Sequence, residues 1–218
     1  MDPIQAVTIA EGRCRDAFAV LGPHEEGGQF SIRAWLPHVR AATVLVGANT
    51  IEMSEGPAKG LFTASLTARP NAYELRITLY SGEVLLVEDP YRFPPLLTSF
   101  ELHLHGEGTH YESYRTLGSH LAVCEGVEGG RFAVWAPNAE VVSVMGGFNG
   151  WDRTRHPMRL RDGGIWEMFI PGIGLGEHYK YSVVGRDSVA REKCDPYAFF
   201  AEVPPKTASI VWPLTNHA

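Results

Sequence analysis

The residues best suited to bind a ligand lie in a short glycine-rich segment and on one later strand. Residues 148–152 read FNGWD and directly follow two glycines. Trp151 supplies a large flat ring, and Asn149 supplies two hydrogen-bond donors and an acceptor. Lys180 adds three donors from a predicted strand. A planar apolar ring beside a few donors and acceptors suits a sugar, because sugar rings have apolar faces and a rim of hydroxyls.

Residue type alone leaves structural alternatives for these side chains. Tryptophan is buried on average, so core packing explains Trp151 as well as sugar stacking does. A solvated surface position explains Lys180 better than a binding role does, when the lysine is considered by itself. Six further aromatic residues are interpreted as core or second-sheet residues: Phe132, Trp135, Trp166, Phe169, Tyr179 and Tyr181.

The sequence contains no constellation of residues that indicates catalysis. Its carboxylates are scattered and lie mostly in predicted turns. No GxSxG, P-loop or HExxH motif occurs, and no strand carries the paired carboxylates that a glycosidase needs. The histidines at positions 103, 105, 110 and 120 lack the spacing of a structural zinc site. We therefore expect no catalytic residue, no metal and no cofactor.

Composition favours a β-rich protein with a neutral ligand. The 218 residues suffice for one large or two ordinary domains. The 23 glycines and 15 prolines fit a chain with many turns. A formal net charge of −6 argues against nucleic-acid and anionic-membrane surfaces, so we expect neither partner. No apolar run approaches the ~20 residues of a membrane helix.

The N-terminus and the cysteines predict where the protein resides. The chain begins MDPIQ, without a basic region followed by an apolar one, so we expect no signal peptide. Cys14, Cys124 and Cys194 are odd in number and lack CxxC spacing. They are interpreted as free thiols in a reducing compartment, which predicts a cytoplasmic protein.

An internal repeat organises the chain. Four residues recur 100 positions later, as the pairs Trp35/Trp135, Pro37/Pro137, Val44/Val144 and Gly47/Gly147. Further markers recur 106 positions later, as Tyr73/Tyr179, Asp89/Asp195, Pro90/Pro196, Tyr91/Tyr197 and Phe93/Phe199. Two sets of markers in the same order, with a small drift, predict two tandem copies of one β-domain.

Short strands bounded by turns are predicted in both copies. They cover residues 30–36, 43–46, 61–66, 73–79 and 84–88 in the first copy, and 131–136, 141–145, 165–170, 178–184 and 209–212 in the second. This pattern predicts an all-β fold of two tandem immunoglobulin- or fibronectin-like antiparallel β-sandwiches with a short helical linker. The predicted domains are an N-terminal β-sandwich (1–105), a linker with a short helix near 111–118 (106–128), and a second β-sandwich (129–218).

Alternation along residues 178–184 assigns faces to the last long strand. Side chains of a strand point alternately to its two faces. The predicted inward residues are Tyr179, Tyr181 and Val183. The predicted outward residues are His178, Lys180 and Ser182.

Three segments of the second copy resemble carbohydrate-binding module family 48. They are the strand motif WAP at 135–137, the loop GFNGW at 147–151 and the strand motif YKY at 179–181. In glucan-binding members of that family, the loop tryptophan and the strand lysine are part of the sugar site. The resemblance therefore implies a carbohydrate-binding site at Trp151, Lys180 and Asn149. A second stacking tryptophan often follows the YKY strand, but residues 185–188 read GRDS here.

Nearly the whole chain resembles the N-terminal half of bacterial glycogen branching enzymes. The similarity is especially close at 16–24 (DAFAVLGPH) and across 148–171. In that family an α-amylase-type barrel follows. Its aspartate forms a covalent glucosyl-enzyme, its glutamate acts as acid/base, and the cut chain is transferred to a 6-hydroxyl. The resemblance implies a non-catalytic arm, inactive alone, whose partners are α-glucan (glycogen or maltooligosaccharides) and the catalytic barrel of the same polypeptide.

Other functional classes remain open from the sequence. One is the N-terminal region of a debranching or trehalose-releasing amylase relative, which usually carries a single module of this kind. Another is a stand-alone glycogen-targeting module, as in the β subunit of a metabolic kinase. A sandwich that binds no ligand is the third. The tandem repeat favours the branching-enzyme interpretation over the first two.

The first copy lacks the residues of the implied site. By the repeat offsets, Ile51 stands at the position of Trp151, and Glu74 stands at the position of Lys180. Isoleucine has no planar face, and an ionised glutamate accepts hydrogen bonds but donates none. We therefore expect the first copy to serve as a spacer or contact domain.

Overall fold

The computed structural model describes residues 3–214, which fall into two compact units divided between residues 92 and 93. Residues 1–2, which begin the segment inspected for a signal peptide, and residues 215–218, which end the predicted second sandwich, lie outside the described residues. The observed division differs from the predicted boundary after residue 105. Residues 106–128 are not a separate linker, because a strand within them joins a sheet of the second unit.

The first unit is an antiparallel two-sheet structure preceded by a short helix. The helix is α1 (Pro3–Ala10), and the strands are β1 (Gly22–Glu26), β2 (Gln29–Trp35), β3 (Val39–Val46), β4 (Asn49–Glu52), β5 (Ser54–Glu55), β6 (Leu61–Leu66), β7 (Glu74–Leu79) and β8 (Val84–Glu88). They form sheets in the orders β1-β2-β6-β5 and β4-β3-β7-β8. The core contains Ile32, Val44, Phe62, Leu75 and Ile77. The five predicted strands are all present, with bounds within a few residues.

The second unit repeats this architecture and adds strands and helices. The helices are α2 (Ser99–Gly106) and α3 (Ser113–Thr116), and the strands are β9 (Gly118–Cys124), β10 (Val127–Trp135), β11 (Val141–Gly146), β12 (Arg159–Leu160), β13 (Ile165–Pro171), β14 (His178–Val184), β15 (Ala190–Lys193), β16 (Phe200–Ala201) and β17 (Ser209–Ile210). One sheet has the order β12-β13-β10-β9, the other has the order β11-β14-β17-β16, and β15 also pairs with β14. The all-β prediction is confirmed.

The helices between the predicted domains differ from the prediction. The helix expected at 111–118 is reduced to the single turn of α3, while α2 was not predicted. The signal for α2 was present, because Thr98 and Glu101 form a capping box. The Thr98 hydroxyl accepts from the Glu101 amide, and the Glu101 carboxylate accepts from the Thr98 amide at 2.8 Å. No helix among residues 3–214 has the length and apolar character needed to cross a membrane.

The repeat is visible in the strand pairing. The sheet orders β1-β2-β6-β5 and β9-β10-β13-β12 correspond strand by strand. Trp35 of β2 lies opposite Leu61 of β6, and Trp135 of β10 lies opposite Ile165 of β13. Each tryptophan therefore ends the same strand of its own unit.

Trp135 is not a core residue, which corrects the prediction. Phe132 is fully buried and packs edge-to-face on Tyr179 of the other sheet, with ring centroids 5.0 Å apart. Trp135 follows three positions later, so it faces the opposite side of its strand. It is 54% exposed, whereas Trp35 is 8% exposed. Parity alone does not explain this exposure, because Ala133 on the same face of β10 is fully buried. The prediction failed because the exposure of Trp135 depends on which residues distant in sequence cover the end of the strand.

The face assignment along β14 holds for its first residues only. Tyr179 and Tyr181 are fully buried, as predicted. Ser182, predicted to face outward, is buried opposite Ser143 of β11, and Val183 is only half-buried. Ser182 and Ser143 lie on the outer face of the sheet. Because both are buried, this part of the sheet is covered on both faces.

A buried aspartate joins Tyr73, which directly precedes β7, to the turn after β8 in the first unit. The Tyr73 hydroxyl donates to Asp89 Oδ2 at 2.6 Å, and the Tyr91 amide donates to Asp89 Oδ1 at 2.9 Å. Burial raises the pKa of the Asp89 carboxyl to about 6, although these two hydrogen bonds favour its ionised form. We call Tyr73, Asp89 and Tyr91 the first aspartate clamp.

The second unit contains the same arrangement. The hydroxyls of Tyr179 and Tyr181 donate to Asp195 Oδ2 at 2.8 and 3.0 Å, and the Tyr197 amide donates to Asp195 Oδ1 at 2.8 Å. The Asp195 amide in turn donates to the Ser209 hydroxyl. Burial raises the pKa of the Asp195 carboxyl as well. These residues form the second aspartate clamp, and the Asp-Pro turns of the repeat are parts of the two clamps.

A glycine allows another strand to pass close to each clamp. Gly22 has φ of +88°, and a Cβ there would lie 2.7 Å from the carbonyl oxygen of Tyr91. Gly118 has φ of +95°, and its Cβ would lie 2.9 Å from the carbonyl oxygen of Tyr197. Any larger residue would meet both backbone strain and a clash. The two clamps therefore share their surroundings as well as their hydrogen bonds.

Replacing Asp89 by asparagine is expected to flatten the pH dependence of the first unit's stability. The folded pKa of about 6 exceeds the unfolded value of 3.8. The stabilisation linked to protonation is therefore complete below pH 3.8 and is lost as pH rises through 6. In Asp89→Asn, the amide oxygen still accepts from Tyr91 and the amide N–H₂ donates to Tyr73 Oη. Pulsed hydrogen-exchange mass spectrometry in urea, read on β6 and β7, measures this unit.

The control is Asp162→Asn, at an exposed aspartate of the second unit. The wild type and this control should both lose stability in β6 and β7 between pH 4 and pH 6. An Asp89→Asn variant with the same slope as the wild type would show that the clamp carboxyl does not titrate in this range.

Candidate functional site

The loop that carries Trp151 has a constrained backbone. A single 3-10 turn, Gly147–Asn149, follows β11, and Gly150 and Trp151 both have left-handed conformations with φ of 66° and 59°. The Trp151 amide donates to the carbonyl of Gly146 at 2.9 Å. A left-handed tryptophan costs roughly 1–2 kcal/mol, so the surrounding contacts must hold it. The Trp151 side chain is 42% exposed and its ring is accessible.

Asn149 holds this loop from inside and does not face solvent. Its side chain has no exposed surface. Oδ1 accepts from the Gly146 amide at 3.0 Å, and Nδ2 donates to the Val144 carbonyl at 2.9 Å and to Nδ1 of His156 at 2.7 Å. The carboxamide oxygen and nitrogen of Asn149 are thus both hydrogen-bonded within the protein. The structure therefore differs from the expectation that Asn149 contacts sugar hydroxyls.

His156 is the buried partner of Asn149. Its Nδ1 accepts from the Asn149 amide, which assigns the ring proton to Nε2. Burial lowers the pKa of His156 to about 3, and the neighbouring Arg155 cation lowers it further than Asp152 raises it. The ring is therefore neutral at physiological pH. The His156 carbonyl also accepts from the Val144 amide, so the returning segment lies along β11.

Lys180 lies at the same end of β11 and β14 as the Trp151 loop. Lys180 pairs with Met145, and the next pair is Tyr179 with Gly146, whose carbonyl anchors Trp151. Tyr179 and Tyr181 are both buried, so Lys180 between them faces outward. The two predicted site residues are thus attached to adjacent rungs of one ladder.

The Lys180 ammonium is positioned by an ion pair. Its Nζ lies 3.2 Å from Glu192 Oε2 on β15. Glu192 is exposed, so the pair is solvated and contributes little stability. Lys180 keeps donor capacity, and Glu192 adds acceptor oxygens that were not identified from the sequence. No motif pointed to Glu192, because its proximity depends on the β14–β15 register.

The turn after β14 contains an ion pair instead of a second aromatic ring. Both carboxylate oxygens of Asp187 accept hydrogen bonds from the Arg191 guanidinium, at 3.1 and 2.6 Å. The Arg191 hydrogen bonds lower the pKa of the exposed Asp187 carboxyl to about 2. A hairpin closed in this way offers polar groups but no stacking face. This turn lies at the Val141–Val184 end of the β11–β14 ladder, whereas the Trp151 loop follows Gly146 at the opposite end.

A buried carboxylate orders the segment that precedes α2. Glu167 of β13 is almost fully buried, and its Oε1 accepts from the amides of Leu96 and Leu97 at 2.5 and 2.7 Å. Its Oε2 pairs with Arg161. This charge therefore supports the fold and is not available as an acid or base. Within residues 3–214, no three His, Cys, Asp or Glu side chains form a group that could hold a metal ion.

Two family models match this chain. Residues 116–198 match carbohydrate-binding module 48 (isoamylase N-terminal domain). Residues 2–91 match the N-terminal domain of alpha-1,4-glucan branching enzyme GlgB. The GlgB N-terminal model covers the first aspartate clamp. The carbohydrate-binding module model covers Trp151, Lys180 and Asp195 of the second aspartate clamp.

Similar proteins are longer than this chain. A 1,4-alpha-glucan branching enzyme GlgB from Paramagnetospirillum magneticum is 50% identical over 211 residues, which are 96% of this chain and 28% of that protein. One from Rubrobacter xylanophilus is 46% identical over 212 residues, 96% of this chain and 29% of that protein. The chain therefore spans less than a third of the length of these relatives.

The solved structures are more distant. A pullulanase from Anoxybacillus sp. LM18-11, complexed with maltotriose, is 16% identical with a TM-score of 0.37, and the match covers 87% of this chain and 27% of that chain. A similarity of this size carries no argument about the site.

Replacing Asn149 by alanine is expected to destabilise the second unit and loosen the Trp151 loop. The change leaves the Gly146 amide and the Val144 carbonyl without their buried partner, at roughly 1–3 kcal/mol for each unsatisfied group. Urea unfolding and the hydrogen exchange of residues 146–151 would measure both effects.

The matched control is Asn138→Ala, at an exposed asparagine of the turn after β10. It should leave stability within about 0.5 kcal/mol of the wild type. Equal stability of the two variants would contradict the role assigned to Asn149.

Proposed function

We propose that this chain is the α-glucan-binding, non-catalytic arm of a branching enzyme, because residues 2–91 match the model of the GlgB N-terminal domain and residues 116–198 match that of carbohydrate-binding module 48. Such an enzyme cleaves an α-1,4-glucan and transfers the cut chain to a 6-hydroxyl, making α-1,6 branches in glycogen. The arm binds or positions the glucan and packs on a catalytic barrel of the same polypeptide.

The observation that carries the glucan-binding proposal is the exposed Trp151, whose amide is hydrogen-bonded to Gly146 of β11, one rung from the Met145–Lys180 pair. The apolar face of a glucose unit stacks on the indole, and the Lys180 ammonium and Glu192 carboxylate hydrogen-bond to its hydroxyls. The loop is held by buried hydrogen bonds from Asn149, so little ordering accompanies binding. A single stacking ring supports weak binding, and a long glucan compensates by offering many equivalent units.

The first unit is proposed to act as a spacer or contact domain. Leu45 pairs with Glu74 in β3 and β7 as Met145 pairs with Lys180 in β11 and β14, so an acidic residue replaces the cation. The place of the Trp151 loop is taken by a tight turn leading into β4, where Ile51 pairs with Val44. This unit thus offers neither the ring nor the donor of the proposed site.

The match of residues 2–91 to a branching-enzyme domain supports this function over a debranching enzyme or a stand-alone targeting module. We also propose a cytoplasmic location. The free thiols of Cys14, Cys124 and Cys194 support this location, because such thiols persist in a reducing compartment.

Replacing Trp151 by alanine is expected to weaken α-glucan binding by about 1–3 kcal/mol, or roughly 5- to 150-fold in Kd. The reason is the loss of the stacking face. Titration calorimetry with maltoheptaose and retention in glycogen-containing native gels would measure the change.

Two variants serve as controls for this change. Trp151→Phe should recover part of the affinity, because it restores a ring. Tyr111→Ala removes an aromatic side chain that is 92% exposed elsewhere in the same unit, and it should change nothing. Unchanged affinity in Trp151→Ala would remove Trp151 from the proposed site.

The chain alone is expected to have neither branching nor hydrolytic activity. Among the described residues, the buried carboxylates are those of Asp89, Glu167 and Asp195. Each accepts hydrogen bonds from other residues of the chain that stabilise the fold. Iodine staining of amylose and a reducing-end assay would test this against a heat-inactivated sample. Product formation that survives repeated purification would overturn the non-catalytic assignment.

A further inference from the structure

Trp135 presents an apolar ring whose only polar atom is already satisfied. The ring is 54% exposed at the end of β10, and its Nε1–H donates to the Gly163 carbonyl at 3.0 Å. The Ala136 amide donates to the neighbouring Gly164 carbonyl at 2.9 Å, which holds the turn against the strand. The indole is therefore fixed in orientation, and its exposed remainder is apolar.

His105 of α2 packs beside this ring. The two rings meet edge-to-face, with centroids 5.8 Å apart and an interplanar angle of 68°. Burial lowers the pKa of His105, so its imidazole is neutral at pH 7. A neutral imidazole offers one donor and one acceptor. The Trp135–His105 pair thus combines an apolar face with uncharged hydrogen-bonding groups.

The fold does not require an exposed ring at this position. Trp35 ends the corresponding strand of the first unit, has the corresponding partner across the sheet, and is only 8% exposed. The exposure of Trp135 is therefore a property of the second unit. This is also the unit whose sequence matches a carbohydrate-binding module.

We propose that Trp135 and His105 form a second α-glucan-binding surface, separate from Trp151. A glucose unit stacks on the exposed indole face and shares hydroxyl hydrogen bonds with the imidazole. Two uncharged rings suit a neutral polyhydroxylated ligand. This inference rests on the proposed function, because it takes the ligand of the module to be α-glucan.

The two surfaces belong to different sheets. Trp135 lies on the outer face of the sheet containing β10, while the Trp151 loop extends from β11 of the other sheet. A short maltooligosaccharide therefore occupies the surfaces independently. Glycogen has many chain ends on one particle and can engage both, which raises its apparent affinity by multivalency.

The experiment compares the whole chain in four forms: wild type, Trp135→Ala, Trp151→Ala and the double variant. Calorimetry with maltoheptaose should give two sites in the wild type, one in each single variant and none in the double variant. Retention in glycogen gels should fall on the order of tenfold in each single variant. Tyr111→Ala should retain both sites, and His105→Ala should weaken only the site that survives in Trp151→Ala.

Loss of folding in Trp135→Ala would be detected by circular dichroism, and Trp135→Phe then replaces it. Phenylalanine keeps a stacking face but not the Gly163 hydrogen bond, so its site should persist with lower affinity. A wild type with one site that Trp151→Ala abolishes would overturn the second surface and leave the proposed function intact. Concentration-dependent burial of Trp135 without sugar would also overturn it, in favour of a protein contact. A wild type that binds no glucan would overturn the proposed function itself.

Discussion

The buried Asp195 of the second clamp fixes the strand faces on which the candidate site depends. In the second unit, Asp195 accepts from the hydroxyls of Tyr179 and Tyr181. Two tyrosines at alternate positions can reach one carboxylate only if both face the core. Lys180, between them, must then face outward. A shift of β14 by one residue would bury the lysine and break both hydrogen bonds, so the clamp sets the register as well as the turn.

Two buried titratable groups, Asp89 in the first unit and His156 in the second, have opposite effects on how stability changes with pH. Asp89 has a raised folded pKa, so its contribution is lost as pH rises through about 6. His156 has a folded pKa of about 3 against 6.5 when unfolded, so its contribution is complete above 6.5 and is lost as pH falls toward 3. The Trp151 loop depends on the neutral form of His156. It is therefore insulated from pH changes in the physiological range, where that ring stays unprotonated.

Much of the fold could be predicted from the sequence, because its signals are local. Apolar runs between glycines and prolines marked ten strands, and the recurring Asp-Pro-Tyr marked the repeat, although it did not reveal the buried carboxylates of the clamps. Strand β15 reads AREK and is wholly exposed, so it has no apolar pattern to detect. The roles of single residues were harder to predict. Asn149 has the chemistry to bind a sugar and equally the chemistry to hold a loop, and only its burial decides. The exposure of Trp135 was not predicted because it depends on neighbours that are distant in sequence.

Because the backbone at Trp151 is left-handed, a substitution at this position can remove the stacking ring without lowering the stability of the domain. Glycine adopts this conformation without strain, and one base change converts the tryptophan codon into a glycine codon. That substitution deletes the ring, relieves the backbone and leaves the Asn149 hydrogen bonds intact. A lineage can therefore remove the proposed sugar-stacking ring in one mutational step without unfolding the domain. Restoring the ring requires a bulky residue at a backbone position with positive φ, which is strained for any residue except glycine. Loss of the ring is therefore easier than its recovery.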